Sequence, residues 1–429
     1  MGLPALKFHA RLTGPDRLVL QQLGDDLSLG DADAVDAAEP VIARLQALND
    51  PADARFEPTV FTSYDLDEAR ALLSPEPLRR LFDGYVAWAR GVVRVETDAV
   101  FVTHLLLYFC TSVPSAALLF ARFSYLHAVL HIALQGSYMG PYTLLKHQHI
   151  HQRGVLARRF PLGLVDELFP YVMDPLMGHT WNSYFYHHVK HHHVEGNGPG
   201  DLSSTIRYQR DSLSHFLMYL GRFFFFVWFD LPRYFWRSGR TALACKAAFW
   251  EIGSYIALFA AFRANAAAAT FVFGLPLFFL RIALMVGNWG QHAFVDADEP
   301  DSDYRSSVTL VDVASNRFCF NDGYHTSHHL NPLRHWRDHP ASFLAQRGDY
   351  AAQDALVFHD IDYVFITIRL LQKRYDILAE ALVPIGARQK AMTLAQRADM
   401  LRRHTRQFSE AEVRAKFRTL TAAAKAKMG

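Results

Sequence analysis

Histidine is the residue type of this sequence whose spacing carries the most chemistry. The chain has 22 histidines among 429 residues, and many fall in segments such as YHHVKHHHVEGNGPGD and NDGYHTSHHLNP. A neutral imidazole is a ligand suited to Fe, Zn, Cu or Ni. On a helix, residues three or four apart share one face, so a short histidine group can offer several nitrogens to one point. These segments therefore predict a metal site.

Three histidine groups have the spacings H-x(3)-H, H-x(2–3)-HH and H-x(2)-HH. Their members are His147 and His151; a selection from His187, His188, His191, His192 and His193; and His325, His328 and His329. Eight or nine such ligands exceed the four of a tetrahedral zinc site. They favour two metal ions with open positions for oxygen, and hence two irons.

The first group has a rival with the same spacing, His127 and His131. His127 precedes His147 by 20 residues, which is about 30 Å along a continuous helix. An unbroken helix would therefore place the rival near the opposite membrane face, where hydrogen bonding between helices is its alternative role. A break at Gly136, Gly140 or Pro141 keeps the rival open, although the sequence favours His147 and His151.

Long uncharged segments must position these groups. Residues 101–121 contain no Lys, Arg, Asp or Glu, and residues 264–287 contain one charge, Arg281. Each is long enough to cross a hydrocarbon core of ~30 Å. The net charge of +2 argues against nucleic acid as a partner, and the three separated cysteines argue against a zinc ribbon or a disulfide framework.

The predicted fold is an all-α integral membrane protein with four transmembrane helices arranged as two hairpins, and a cytosolic helical cap that carries the di-metal site. The predicted spans are about 101–121, 125–145, 247–262 and 264–287, with an interfacial segment at 216–235. The predicted regions are a soluble helical part at 1–98, a membrane domain at 99–340 and a cytosolic helical tail at 341–429. Lys and Arg concentrate outside the spans, so both termini are expected in the cytoplasm.

The three groups resemble the histidine boxes of the membrane fatty acid desaturase and hydroxylase superfamily, which are non-haem di-iron enzymes. The resemblance covers about residues 100–340, and the order of spans and boxes matches as well. Asn288-Trp-Gly-Gln-His292 is similar to a segment of acyl-CoA desaturases just after the last span. The resemblance implies that His292 is a further ligand and that Asn288 reaches the metal through water.

Family members commonly place Asn four residues after the last histidine of the second box, with Asp soon after. Asn197 and Asp201 follow His193 in this way, which favours His188, His192 and His193, with His191 close behind. The metal ligands implied are His147, His151, His188, His191, His192, His193, His292, His325, His328 and His329. Carboxylates that flank the boxes, and that are candidates to orient the ligands, are Asp201, Asp296 and Asp322.

The resemblance implies a lipid desaturase with two Fe²⁺ ions as cofactor and O₂ as co-substrate. Its substrate is expected to be an acyl lipid or acyl thioester, in the bacterial inner membrane or the endoplasmic reticulum. The chain has no H-P-G-G segment or flavin fingerprint, so we expect a separate electron donor, either a b-type cytochrome or a ferredoxin and reductase. The alternatives are a hydroxylase or oxygenase of the same superfamily and, more remotely, a metal transporter.

Overall fold

The computed structural model describes residues 6, 8, 12–28, 31–62, 64–311 and 313–417. These residues are mostly helical. The N-terminal elements are α1 (Gly14–Ser28), α2 (Asp31–Ala47), β1 (Thr59–Phe61), β2 (Tyr64–Asp65), α3 (Leu66–Ala71) and α4 (Glu76–Val92). Strands β1 and β2 form a short antiparallel pair.

The central part of the chain contains the longest helices. Its elements are a 3₁₀ turn (Glu96–Asp98), α5 (Ala99–Ala121), α6 (Tyr125–Gln152), α7 (Leu162–Leu176), a π-helix (Phe185–His192), α8 (His193–Glu195), α9 (Leu213–Arg237), α10 (Thr241–Ala264), α11 (Ala266–Ala269), a second π-helix (Thr270–Gly274) and α12 (Leu275–Gln291). Strand β1 packs against α5, and α9 packs along α10.

Three helical segments in the described part of the chain are long and apolar enough to cross a membrane. They are Glu96–Ala121, Thr241–Ala264 and Ala266–Gln291, and they correspond to three of the predicted spans. The fourth predicted span, 125–145, forms the first part of α6, a helix of 28 residues that buries several polar side chains. The arrangement of four spans as two hairpins therefore stays a prediction.

Helix α6 is continuous although Pro141 lies inside it. It ends where Arg153 and Gly154 take left-handed conformations, with φ of 56° and 117°. A side chain at Gly154 would collide with Arg94 and Asp166, so only glycine fits this turn. Arg94 donates to the carbonyls of Gln152 and Arg153, which caps the helix end that carries the first histidine group.

The predicted interfacial segment lies within α9. Phe225, Phe226 and Phe229 are exposed on this helix, whereas Val227 and Leu231 are buried. Such two-sidedness is typical of a helix that lies in the membrane interface.

The C-terminal part combines short helices with a small sheet. Its elements are α13 (Asp303–Ser306), β3 (Val308–Val311), α14 (Ala314–Phe318), α15 (His325–Leu330), a 3₁₀ turn (Trp336–Asp338), α16 (His339–Ala345), α17 (Arg347–Ala352), β4 (Leu356–His359), α18 (Tyr363–Leu371), α19 (Tyr375–Ala381), β5 (Leu382–Val383), α20 (Ala387–Ala391), α21 (Leu394–His404) and α22 (Glu410–Lys416). Residues 418–429 of the predicted tail lie outside the described residues.

The sheet has the order β3-β4-β5, with a parallel pair followed by an antiparallel pair. Its residues alternate between two cores, as strand geometry requires. Leu310 packs in a core with Trp289 of α12, whereas its neighbour Val311 packs in a core with Tyr350 of α17. The all-α expectation omitted this sheet, which joins β4 of the predicted tail to β3 of the predicted membrane domain.

Candidate metal centre

The histidine groups converge from four separate segments into two adjacent clusters. The five-histidine cluster consists of His147, His151, His188, His193 and His328, and the four-histidine cluster consists of His192, His292, His325 and His329. In each cluster, one candidate ligand atom from every member lies within 4.8 Å of the others. The ring centroids of His193 and His329, one from each cluster, are 5.4 Å apart, so the clusters are direct neighbours.

Four Nε2 atoms of the five-histidine cluster form a closed ring of short contacts. The Nε2–Nε2 distances are 2.9 Å for His147 and His188, 3.0 Å for His188 and His193, 2.8 Å for His193 and His328, and 3.1 Å for His328 and His147. With metal–nitrogen bonds of about 2.1 Å, nitrogens at right angles lie about 3.0 Å apart and nitrogens at tetrahedral angles about 3.4 Å apart. The observed contacts match ligands at right angles around one cation.

His151 supplies a fifth ring to the same place. Its Nε2 atom is buried without a hydrogen-bond partner, and its ring centroid lies 4.8 Å from that of His193. A buried nitrogen without a partner is unfavourable unless it binds a group outside the chain. The five-histidine cluster therefore fits a metal ion with more than four ligands.

The four-histidine cluster also brings Nε2 atoms close together. The Nε2 atom of His325 is 3.2 Å from that of His292 and 3.1 Å from that of His329. Two of its rings are held in place by hydrogen bonds at Nδ1, the nitrogen that is not the candidate ligand. His192 Nδ1 is 2.8 Å from Asp201 Oδ2, and His292 Nδ1 is 2.7 Å from the carbonyl of Ser306. These contacts hold the proton on Nδ1 and leave Nε2 free as a ligand. Asp201 thus takes the orienting position expected for it.

The π-helix distributes the second histidine box between the two clusters. Its hydrogen bonds join residues five apart instead of four, so His188 and His193 lie over each other and both join the five-histidine cluster. His192, between them, faces the four-histidine cluster. Each residue of the preferred choice, His188, His192 and His193, thus belongs to one of the two clusters.

His191 lies outside both clusters, together with His187 and Asp201. The Nε2 atom of His191 accepts the backbone N–H of Leu202 at 2.9 Å, so its only lone pair is used. Asp201 Oδ1 accepts hydrogen bonds from the backbone and the hydroxyl of Ser203. His187 Nε2 and His191 Nδ1 are buried without a hydrogen-bond partner, and the three residues form a third, smaller group of candidate ligands. His191 is therefore not a member of either cluster, and the ligand role expected for it stays a prediction.

The rival first box is separate from both clusters. His127 Nε2 and His131 Nδ1 each lie 2.9 Å from the hydroxyl of Ser115 on α5. Neither histidine belongs to any group of three or more candidate metal ligands found among the described residues. Since α6 is continuous, the pair lies about 30 Å along the helix from the clusters.

Five histidines of the two clusters have lowered pKa values, which favours their neutral form at neutral pH. Burial lowers the pKa of His188, His193, His292, His325 and His328 well below the ordinary value, and neighbouring histidines lower it further. Burial would raise the pKa of Asp201, but His192 holds it below its ordinary value. Neutral imidazoles beside an ionised carboxylate are the protonation states that metal binding requires.

A cavity of about 360 Å³ opens between the helices beside both clusters. His147 and His188 of the five-histidine cluster line it, as do His192 and His325 of the four-histidine cluster. Its other walls are largely apolar and come from α6, α9, α10 and α12. The cavity therefore brings a bound molecule to both clusters at once.

Asn288 and Asp322, which the sequence analysis singled out, both line the cavity. Asn288 lines the cavity and donates to the carbonyl of Ser203 at 2.8 Å and to the hydroxyl of Tyr219 at 2.7 Å. Burial raises the pKa of Asp322, which also lines the cavity, to about 7. The third flanking carboxylate, Asp296, instead lies 3.8 Å from Arg305 and 3.5 Å from His404.

Histidine clusters between apolar helices define a membrane protein with a candidate multi-histidine metal centre. The family model described as fatty acid desaturase matches residues 123–360, which is more than half of the chain. The protein belongs to the fatty acid desaturase family, which implies an oxidoreductase, a lipid substrate and, in general, a di-iron centre. No curated protein and no solved structure matches the chain.

Proposed function

We propose that the protein is a di-iron, O₂-dependent lipid desaturase that introduces a double bond into a fatty acyl chain. The observation that carries this proposal is the cavity between the helices, whose walls include histidines of both clusters. A long apolar chain that enters it would pass directly beside both candidate metal sites. Family membership supports the same class of reaction.

In this proposal the five-histidine cluster holds one iron and the four-histidine cluster holds the other. The irons would supply dioxygen activation and the removal of hydrogen from an unactivated C–H bond. Asp201 and the Ser306 carbonyl fix the rings of His192 and His292, so the Nε2 atoms keep their direction when a metal binds. Such partners behind the ligands typically strengthen metal affinity by 10–100-fold.

The cavity walls would position one methylene of the chain. Val227, Leu231 and Leu284 line the cavity and offer no hydrogen bonds, so they favour an acyl chain over water. Holding a substrate at a fixed distance and excluding water are contributions that the protein itself makes to such a reaction. The electrons would come from a separate b-type cytochrome, or from a ferredoxin and reductase.

The proposal is tested by lipid mass spectrometry of a host that expresses the protein. We expect a new acyl species that has lost two hydrogens relative to a host lipid. The species should disappear when His325, His328 and His329 are replaced by Ala, because that change removes ligands from both clusters.

The His127→Ala variant is the matched control, since His127 lies on α6 but outside both clusters. It should retain the new species. A species that has gained one oxygen instead would identify a hydroxylase. Iron-loaded protein that leaves every offered lipid unchanged, with each candidate electron donor present, would contradict the proposal.

A further inference from the structure

The cavity contains an ion pair between two apolar helices. Glu251 of α10 and Arg281 of α12 both line it, and Arg281 Nη2 lies 2.6 Å from Glu251 Oε1. Their residues are only 5% and 9% exposed. Charges inside membrane-spanning helices are costly and rare, and they mark functional positions by default. The pair therefore needs a role beyond anchoring the helices to each other.

Glu251 has no acceptor capacity left. An ionised carboxylate offers about four lone-pair positions. Its Oε1 atom accepts from Arg281 and from the hydroxyl of Tyr255 at 2.5 Å. Its Oε2 atom accepts from the hydroxyls of Thr180, at 2.6 Å, and Ser183. A molecule in the cavity thus finds no free acceptor on this carboxylate.

Arg281, in contrast, keeps free donors. A guanidinium has five N–H groups, and three are used, by the carbonyl of Phe224, by Glu251 and by the hydroxyl of Tyr255. The other two N–H groups have no acceptor among the described residues. A donor that water or a ligand does not reach is unfavourable, and these two N–H groups belong to a side chain that lines a cavity large enough for a ligand.

We propose that the cavity binds a lipid chain that carries a neutral oxygen acceptor, and that Arg281 donates to this oxygen. The group must accept a hydrogen bond, because the network has surplus donors. It must be neutral, because Glu251 already balances the charge of Arg281 and a carboxylate would add a buried, unpaired charge. A keto, hydroxyl or ester oxygen meets both conditions. The proposal rests on the proposed function to the extent that this cavity receives the substrate chain.

The distance between the ion pair and the metal centre makes the inference specific. Arg281 precedes Asn288 by seven residues on the continuous helix α12, which is about 10 Å along its axis. Asn288 lines the cavity and precedes His292 of the four-histidine cluster by four residues, about 6 Å more. The oxygen should therefore be preferred at one position of the chain, roughly 10–16 Å from the carbon that faces the metal centre.

Binding to the purified, iron-loaded protein in lipid nanodiscs tests this inference. The probes are a long-chain alkane, the saturated fatty acid methyl ester of similar length, and methyl esters with one keto group scanned along the chain. We expect one keto position to bind about tenfold more tightly than the others, an advantage that corresponds to about one hydrogen bond. If the plain ester binds as tightly as the best keto ester and the alkane binds more weakly, the ester carbonyl is the oxygen that Arg281 recognises.

The double variant Glu251→Gln with Arg281→Met removes both charges and should abolish the keto preference. The Arg222→Met variant is the control, because Arg222 pairs with Asp230 on α9 and does not line the cavity. Iron content verifies that each variant is folded. Equal binding of alkane and oxygenated probes, or a keto preference that survives in the double variant, would overturn the inference. Failure of the proposed function would appear separately, as absent iron or absent double bonds.

Discussion

Helix α6 carries the same histidine spacing near its two ends, but the surroundings of the two pairs differ. His127 and His131 meet one hydroxyl, that of Ser115. His147 and His151 meet three further imidazoles, contributed by the π-helix, α8 and α15. Spacing alone therefore does not define a metal site. The candidate site arises where separate elements direct several imidazole nitrogens to a common point.

The largest effect on iron content and desaturation is expected from replacing His147 and His151, and the other pair on α6 serves as its control. Replacing His147 and His151 by Ala removes two of five candidate ligands, so desaturation should fall to background and one iron should be lost. Replacing His127 and His131 by Ala removes hydrogen bonds to Ser115 and should leave the iron content unchanged. Metal analysis and lipid mass spectrometry measure both outcomes. Iron loss in the His127 and His131 variant alone would reverse the assignment of the first box.

The next largest effect is expected on iron affinity, when the carboxylate that orients the His192 ring is changed. Asp201→Asn weakens the contact behind His192, so iron affinity should fall about 10–100-fold, as measured by competition with a chelator. Asp296→Asn is the matched control, because Asp296 lies beside Arg305 and His404 instead of a cluster. Similar iron affinities in the two variants would show that Asp201 does not orient His192 for metal binding.

A smaller effect is expected at the end of α6 next to the first pair. Gly154→Ala should destabilise the protein by roughly 1–3 kcal/mol, because the residue has positive φ and its side chain would meet Arg94 and Asp166. The control Gly84→Ala lies on α4 with open space around it and should be neutral or slightly stabilising. Thermal unfolding measures both variants. Equal melting temperatures would contradict this role of the turn.

The smallest expected effect is on the number of protons released when iron binds. The pKa values of His188, His193 and His325 are lowered well below 6.5 by burial, so these rings already lack the extra proton at pH 7. Iron binding at pH 7 should therefore release close to no protons from them. Calorimetry in buffers with different ionisation enthalpies measures this number. Release of several protons per iron would show that the metal-free clusters are protonated.

The positions of the long helices could be predicted from the sequence, because a long apolar helix leaves a long segment with few or no charged residues. The predicted span 101–121 lies within α5 (Ala99–Ala121), and the predicted segment 216–235 lies within α9 (Leu213–Arg237). The small sheet was missed because β3, β4 and β5 have only two to four residues each. Such short strands are defined by their partners, which are distant in sequence.

The histidines were also recognisable from the sequence, but their division between two clusters was not. That division depends on the π-helix, whose five-residue hydrogen bonds separate His192 from His188 and His193. Helical spacing in the sequence left His191 among the expected ligands. In the structure its Nε2 atom accepts the backbone N–H of Leu202. The pairing of Glu251 with Arg281 was missed for a similar reason, because a contact between two helices has no signature in local spacing.

The most direct measurement is the iron content of purified protein that has been loaded with ferrous iron under anaerobic conditions. Two separate clusters predict two irons per chain in the wild type. They predict one iron when His151 and His193 of the five-histidine cluster are replaced by Ala, and one iron when His292 and His329 of the four-histidine cluster are replaced. Wild-type protein that binds a single ion, or no iron at all, would contradict a di-iron centre formed by these two clusters.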